Sequence, residues 1–320
     1  MIVALTGVSG FLGTAIARRL YEQGHFVTGL IRRKSRTDHV KPFVKTFVVG
    51  DQHDGSVWPE LLKGADCVIH NSVDWTPLRK GALDAFDRHL HTNLSGSIRF
   101  LRESAPRQFI FMSSISVHHD MRPRWQGVID EDHPLRPNTP YGAYKAAVEA
   151  HLWAEHLGGG RNTSALRPSG VYGIDPKIEK SLGYEVIAAL KAGKPIRRAG
   201  GGKWVHVDDV AEAVAAMVGN ADVAGKAYNL ADCYARWADW GQWAADILRV
   251  NGDIDFSSPE EPENVFSKDA ARSLGVTLDR GHEGIRAFLK ELIERINAPK
   301  PVPPTPKPAL KPISIIRRVR

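Results

Sequence analysis

The sequence predicts an α/β protein built on a doubly wound parallel sheet, with a smaller α/β cap in its C-terminal half. Three observations carry that expectation. Short apolar runs alternate with helical patterns through the first half, a glycine-rich turn joins the first run to the first helix, and the rhythm becomes irregular after Arg167. Alternating strands and helices specify parallel pairing with crossover helices. The runs are continuously apolar rather than alternating, as strands covered on both faces are.

The predicted strands are residues 2–5, 26–31, 43–49, 67–69, 109–112 and 164–166. Between them the helical patterns cover residues 11–22, 83–104 and 141–156, the last followed by Gly158, Gly159 and Gly160 as a stop signal. Beyond a loop through Pro176, helical patterns return at 184–191, 208–218, 237–248 and 284–296, with a glycine-rich loop at 200–202. The expected division is a dinucleotide-binding domain at 1–168, a substrate cap at 169–297 with segments returning to the core, and a tail at 298–320. Seven prolines fall between Pro299 and Pro312, so the tail is expected to be extended and mobile, able to dock on a partner or an anionic surface.

Charge and composition exclude several classes. Of the net +7, the tail supplies +6 through Lys300, Lys307, Lys311, Arg317, Arg318 and Arg320, so the body is near neutral. A folded nucleic-acid binder would carry its basic excess on the domain itself. No apolar run is long enough to span a bilayer, and no signal-like segment precedes the first strand. The two cysteines, Cys67 and Cys233, have neither disulfide nor zinc spacing, which points to a reducing, cytoplasmic setting and no metal.

The turn after the first strand reads TGVSGFLG. Gly7 permits a sharp turn, Gly10 permits close approach of backbone amides to a pyrophosphate, and Gly13 permits the helix to pack on the strand. Ser9, Phe11 and Leu12 lie in the same turn, where a helix N-terminus offers unpaired amides and partial positive charge to phosphates.

The proton chemistry centres on Tyr141 and Lys145, at i and i+4 on one helix face. An ammonium favours phenolate, and a tyrosine so tuned can exchange a proton with a carbonyl or alcohol. Tyr144 is the weaker candidate, since it stands about 100° from Lys145 around the helix, against about 40° for Tyr141. A hydroxyl should come from the end of the preceding strand, where FMSSISVHH offers Ser113, Ser114 and Ser116.

The GxxGxxG spacing, with YxxxK after a serine-bearing strand, resembles the short-chain dehydrogenase/reductase superfamily in its extended, epimerase/dehydratase-like branch, and matching motifs run along nearly the whole body. The resemblance implies a Rossmann domain and Ser114 as the catalytic serine, sharing charge on the substrate oxygen. It implies that Lys145 also bonds the nicotinamide ribose, with Asn93 in HTNLSGSIRFL as the central-helix asparagine. Asp51 with Gln52 would meet adenine, and Asn71 with Ser72 would form the small pair beside the cofactor, where Ser113, Arg167 and Pro168 are also expected. The segments ALRPSGVYG and WVHVDDVAEAV, with His206 and Asp208, are similar to signatures of the C-terminal half. A homodimer through two helices is common among such proteins.

The end of the second strand selects the nicotinamide. An acid there would accept hydrogen bonds from a ribose diol and repel a 2′-phosphate. Here Ile31 is followed by Arg32, Arg33 and Lys34, and arginine can grip a phosphate and stack on adenine, so NADP is expected over NAD. Two departures bear on the substrate. His118 and His119 follow the serine strand where a tyrosine is common, and Gly202 stands where nucleotide-sugar enzymes carry an arginine, with Lys203, Arg197 or Arg198 as substitutes. Trp75, His118 and Trp125 could form an aromatic pocket for a small molecule. The expected activity is NADP-dependent reduction of a carbonyl or oxidation of an alcohol. The alternatives are a nucleotide-sugar epimerase or dehydratase with retained cofactor, and a cofactor-binding sensor or scaffold.

Overall fold

A computed structural model of the chain describes residues 1–80, 83–119 and 127–298. The elements in order are β1 (Ile2–Thr6), α1 (Phe11–Glu22), β2 (Phe26–Ile31), β3 (Thr46–Val49), α2 (Trp58–Leu61), β4 (Cys67–His70), α3 (Thr76–Lys80), α4 (Leu83–His89), α5 (Gly96–Glu103) and β5 (Gln108–Met112). They continue with β6 (Val128–Ile129), α6 (Pro140–Gly159), β7 (Thr163–Pro168), β8 (Gly170–Tyr172), α7 (Tyr184–Lys191), β9 (Gly201–His206) and α8 (Val207–Met217). Last come β10 (Lys226–Leu230), β11 (Cys233–Arg236), α9 (Trp237–Leu248), β12 (Val265–Phe266), α10 (Asp269–Ser273) and α11 (Gly281–Asn297).

Seven parallel strands form the main sheet in the order β10-β7-β5-β4-β1-β2-β3. This is the doubly wound Rossmann-like arrangement. Because successive side chains alternate across the sheet, β1 sends Val3 and Leu5 into one core, with Ile16 of α1 and Val214 of α8. Ala4 faces the opposite core, with Trp58, Phe100 and Phe109. Strand β5 divides likewise: Ile110 and Met112 lie on the first side, Phe109 and Phe111 on the second. Both faces are therefore covered, which is why these strands read as unbroken apolar runs.

A third core joins Trp204, Trp237 and Trp240 with Phe288 and Leu289, around a small sheet of order β11-β9-β8. The chain beyond residue 168 divides between two layers. Strand β10 and helix α8 complete the main sheet and its covering layer, whereas β8, β9, β11, α7, α9 and α11 surround the tryptophans.

Several element limits differ from the sequence expectations. Residues 43–45 precede their strand, because Lys41–Phe43, with Pro42, forms a 3-10 turn before β3. The single helix expected at 83–104 is α4 and α5 joined by a π-helical stretch, Leu90–Ser95. Strand β10 did not announce itself, since its KAYNL sequence, broken by Asn229, lacks a continuous apolar run. The stop after α6 lies where the glycines predict it, with Gly160 in the left-handed region at φ 69°. Residues 299–320 and Trp125 lie outside the described residues, and with them the expectations about the basic tail. Among the described residues no helix is long and apolar enough to cross a membrane.

The glycine turn sets the placement of α1. Gly7 adopts φ 70°, and a Cβ on Gly13 would stand 2.1 Å from the Gly7 carbonyl oxygen. Gly13→Ala is therefore expected to cost about 1–3 kcal/mol, the range for forcing extra methyls into a packed contact. Gly158→Ala, with nothing within 4 Å of its Cβ, is expected to be neutral or stabilising by up to about 1 kcal/mol. Urea unfolding midpoints of the two variants test the contrast, and equal midpoints would contradict it.

Candidate active site

All seven strands of the main sheet point one way, so their C-terminal ends open on the same edge, where α/β folds bind ligands at the reversal of strand order. The reversal here lies between β1 and β4. A cleft of ≈ 1590 Å³ occupies this edge, bounded by the glycine turn, the ends of β2 to β5, and the β8–β9 side of the smaller sheet.

The glycine turn lines the cleft with Gly7, Ser9, Gly10, Phe11, Leu12 and Gly13. Gly10 caps α1 without a side chain, which leaves the first-turn amides free of side-chain partners. A Cβ on Gly7 would lie 3.1 Å from Ser72 Cα, so the turn rests directly on the Asn71–Ser72 backbone. That backbone is held from below, where Thr6 Oγ1 accepts the amides of Asn71 at 3.0 Å and Ser72 at 3.1 Å. With both acceptor positions so used, the Thr6 hydroxyl hydrogen goes to His70 Nδ1 at 2.9 Å, and His70 Nε2 then donates to Ser97 at 2.8 Å. Burial, reinforced by the nearby Lys145 charge, pushes the His70 pKa down to about 3, which matches this neutral tautomer. The Ser72 hydroxyl is buried at the cleft wall with no hydrogen-bond partner. A glycine cradle that excludes side chains, free helix amides and an unpaired hydroxyl together suit a dinucleotide.

Arg32, Arg33 and Lys34 line the cleft beyond the end of β2, Asp51 and Gln52 line it beyond β3, and Pro168 lines it as the last residue of β7. Asp51 pairs with His53 Nδ1 at 2.7 Å. Gln52 turns its amide to Asn93 Oδ1 at 3.0 Å.

Tyr141, Lys145, Ser113 and Ser114 meet at the cleft floor. Thr139 caps α6 by accepting the Gly142 amide at 3.0 Å, which starts the helix one turn before Lys145. A Cβ on Gly142 would stand 2.3 Å from the Ser116 carbonyl oxygen. Only glycine therefore lets α6 approach the serine turn, which brings Ser114 near enough to act on the Tyr141 phenol while its hydroxyl donates to Ser116 Oγ at 3.1 Å. Burial holds the phenol up at about 12, with Ser114 pulling the other way. Trp75 stacks on Tyr141, centroids 4.9 Å apart and planes 24° apart. Tyr144 is absent from the cleft lining and buried in the sheet core, edge-on to His89.

Lys145 is fully buried. Its ammonium donates to the Met112 carbonyl and lies 4.4 Å from the Phe111 ring centroid. Burial lowers its pKa to about 7, and the Glu149 carboxylate, one turn along α6, acts against that fall. Glu149 also accepts from the Ser113 hydroxyl and receives Arg167 through two nitrogens, at 2.7 and 3.1 Å.

Three expected site residues do not line the cleft. Arg167 is committed to Glu149, with a further donation to the Glu131 carbonyl at 3.2 Å. His118 is buried behind it, 3.2 Å from Arg167 Nη1, and its pKa falls to about 3 through burial and that guanidinium, so His119 takes the cleft position instead. Asn93 sits in the π-helical stretch with every amide atom used: Asp74 donates to it at 2.8 Å, and it donates to the Asp74 carbonyl and to His89, both at 2.9 Å. It clips the loop that carries Trp75. Of the three cations considered in place of arginine at Gly202, Lys203 lines the cleft, while Arg197 pairs with Asp253 and Arg198 covers Trp237.

Sequence reasoning missed Thr6, Gly142 and His39. The imidazole of His39 reaches the Ser9 carbonyl at 3.1 Å from a loop with no motif. For Gly142 a signal existed, a glycine directly after Tyr141.

This fold with this cleft defines a dinucleotide-binding α/β enzyme. The chain belongs to the NAD dependent epimerase/dehydratase family, whose model matches residues 3–231, and so to the extended short-chain dehydrogenase/reductase superfamily. It is an NAD(P)-dependent enzyme of that family. It is 27% identical to a dTDP-glucose 4,6-dehydratase of Streptomyces griseus over 79% of this chain and 88% of that one. It is 28% identical to a 4-hydroxy-2-methyl-3-oxo-4-farnesyl-3,4-dihydroquinoline-1-oxide ketoreductase of Stigmatella aurantiaca, over 71% of this chain and 67% of the relative. In fold it resembles the dTDP-glucose 4,6-dehydratase of Bacillus anthracis in complex with NAD, with a TM-score of 0.74 over 92% of this chain and 97% of that chain, at 17% identity.

In the free protein Lys145 is expected to carry its proton below about pH 7 and lose it above. Glu149→Gln removes the carboxylate that sustains the charge and should move the midpoint further down. NMR of the isotope-labelled lysine side chain measures both. A midpoint like that of an exposed lysine, or an upward move in the variant, would contradict the assignment.

Proposed function

We propose that this protein is an NADP-dependent oxidoreductase that reduces a carbonyl or oxidises an alcohol on a small molecule, with Ser114, Tyr141 and Lys145 as its catalytic residues. The observation that carries the cofactor preference is the end of β2, where Ile31 stands in place of an acid and Arg32, Arg33 and Lys34 line the cleft. Arg32 would hold the 2′-phosphate through its planar fork of donors. The residues at 1–168 would hold the cofactor, and those at 169–297 the substrate.

When bound, the nicotinamide supplies or accepts hydride. Tyr141 hands its phenolic proton to the substrate oxygen in reduction, or takes one in oxidation. The Ser114 hydroxyl shares charge on the same oxygen. Lys145, buried beneath, makes loss of the phenolic proton less costly than burial alone would. Trp75, stacked on Tyr141, covers the reacting group and limits water. Asn93 acts on Trp75 by holding the Asp74 loop.

A second reading, a nucleotide-sugar epimerase or dehydratase with retained NAD, draws support from the extensive match to the Streptomyces griseus dehydratase. Against it stand Ile31, Gly202, and a serine turn at 113–119 that offers hydroxyls and imidazoles but no carboxylate for removing a hydroxyl group. The two readings separate on purification, since the second predicts cofactor that copurifies and no net NADPH consumption.

Titration should show NADPH binding tighter than NADH. Arg32→Ala should weaken NADPH alone, by about 10- to 150-fold, equivalent to about 1.5–3 kcal/mol of charge-assisted hydrogen bonding. Tighter binding of NADH by the unaltered protein would overturn the cofactor assignment. Tyr141→Phe should lower turnover by about 10²–10⁴-fold, the usual range for general acid–base catalysis. Unchanged turnover would refute the proton role of Tyr141.

A further inference from the structure

Lys203 is a cation in a partly buried place, with no counter-ion in contact among the described residues. It lies on β9, the central strand of the small sheet, and its half-buried side chain lines the cleft. Among the described residues no carboxylate stands within ion-pair distance, 4.0 Å, of its ammonium. The Phe266 ring has its centroid 5.8 Å away. Glu263 acts on Lys203 only across a larger gap, from an exposed position.

The other cations of the cleft are differently placed. Lys177 and Lys180 are exposed to solvent, Lys145 is buried at the floor, and Arg32, Arg33, Lys34 and Arg36, all exposed, follow the end of β2, beside the adenine side of the proposed cofactor. Lys203 instead shares its part of the cleft with His119, whose imidazole feels the ammonium charge across the space between them. His119 follows the turn that carries Ser114 and Ser116. Withdrawing an ammonium from water without an anion is costly, and this one points into a space that a ligand can enter.

We propose that Lys203 and His119 form a carboxylate-binding subsite, so that the substrate is an acid whose carboxylate lies apart from its reacting carbonyl or alcohol. This rests on the oxidoreductase reading above. One ammonium and one neutral imidazole supply a single charge and two donors, which matches the two oxygens and single charge of a carboxylate. A diphosphate carries more charge and is met by several cations or by guanidinium forks, and the arginine position before β9's core is glycine, Gly202. The indole of Trp75, stacked on Tyr141 and 47% exposed, offers the substrate's body an aromatic surface beside the reacting group.

The test uses protein saturated with NADP⁺, or with NAD⁺ should NADP⁺ fail to bind, titrated calorimetrically with β-benzoylpropanoate and with its methyl ester. The acid should bind about tenfold more tightly than the ester, corresponding to about 1.4 kcal/mol. Lys203→Met should erase that difference, and Lys203→Arg should retain most of it. Circular dichroism checks that both variants fold. Tyr141→Phe should keep the preference for the acid while losing turnover, which separates this subsite from the catalytic reading. Failure of NADPH oxidation with a preserved acid preference would refute the oxidoreductase reading and leave the subsite standing. Equal binding of acid and ester, no binding of the acid, or a preference that survives Lys203→Met would overturn the subsite. Uridine diphosphate binding at least tenfold tighter than the acid, and lost in Lys203→Met, would overturn the carboxylate assignment in favour of a nucleotide.

Discussion

The approach of α1 to the end of β1, where Gly13 nearly touches the Gly7 carbonyl, is the constraint on which the cleft depends. Any side chain at residue 13 would lift the helix from the strand. The free amides at its N-terminus would then no longer face the strand ends, and the turn would no longer rest on Asn71 and Ser72. The Thr6 hydroxyl ties these parts together from within the sheet by holding two amides of the neighbouring strand's exit. One loop and one threonine therefore align two strands, a helix terminus and a cofactor wall.

Charge burial is the second organising feature. Lys145 and Arg167 are both withdrawn from water, and one carboxylate, Glu149, serves them both. The guanidinium takes the carboxylate directly, whereas the ammonium turns to the Met112 carbonyl and feels Glu149 at a distance. Lys145 is thus left with an incompletely balanced charge beside the Tyr141 ring. Arg167, expected beside the cofactor, is used to make this arrangement stable.

Much of the fold was legible because its signals are local. A buried parallel strand must be apolar along its length, and β1, β2, β4 and β5 read that way. Strand β3 began late, since Pro42 favours a turn, and β10 was hidden because an edge strand needs no continuous apolar run. In the site, the glycine turn, Tyr141 and Lys145, read from their spacing, share one cleft with Ser114, which the family resemblance singled out. His118 and His119 show the limit: adjacent residues of the same type face opposite ways, one into the core against Arg167 and the other into the cleft, and no composition distinguishes them.

By itself the sequence determined the class of fold, the family, the turn that suits a dinucleotide and the helix face that carries Tyr141 and Lys145. The fold class, the turn and the helix face depend on periodicity and short spacings within single elements, and the family on the resemblance of motifs along the body. Tertiary structure alone decided that Arg167 belongs to Glu149, that Asn93 fastens the Trp75 loop, that Gly142 sets α6 against the serine turn, and that Lys203 and His119 line one cleft. Each of these joins residues far apart along the chain, and such pairs acquire a distance only when the sheet order and the docking of the smaller sheet bring them together.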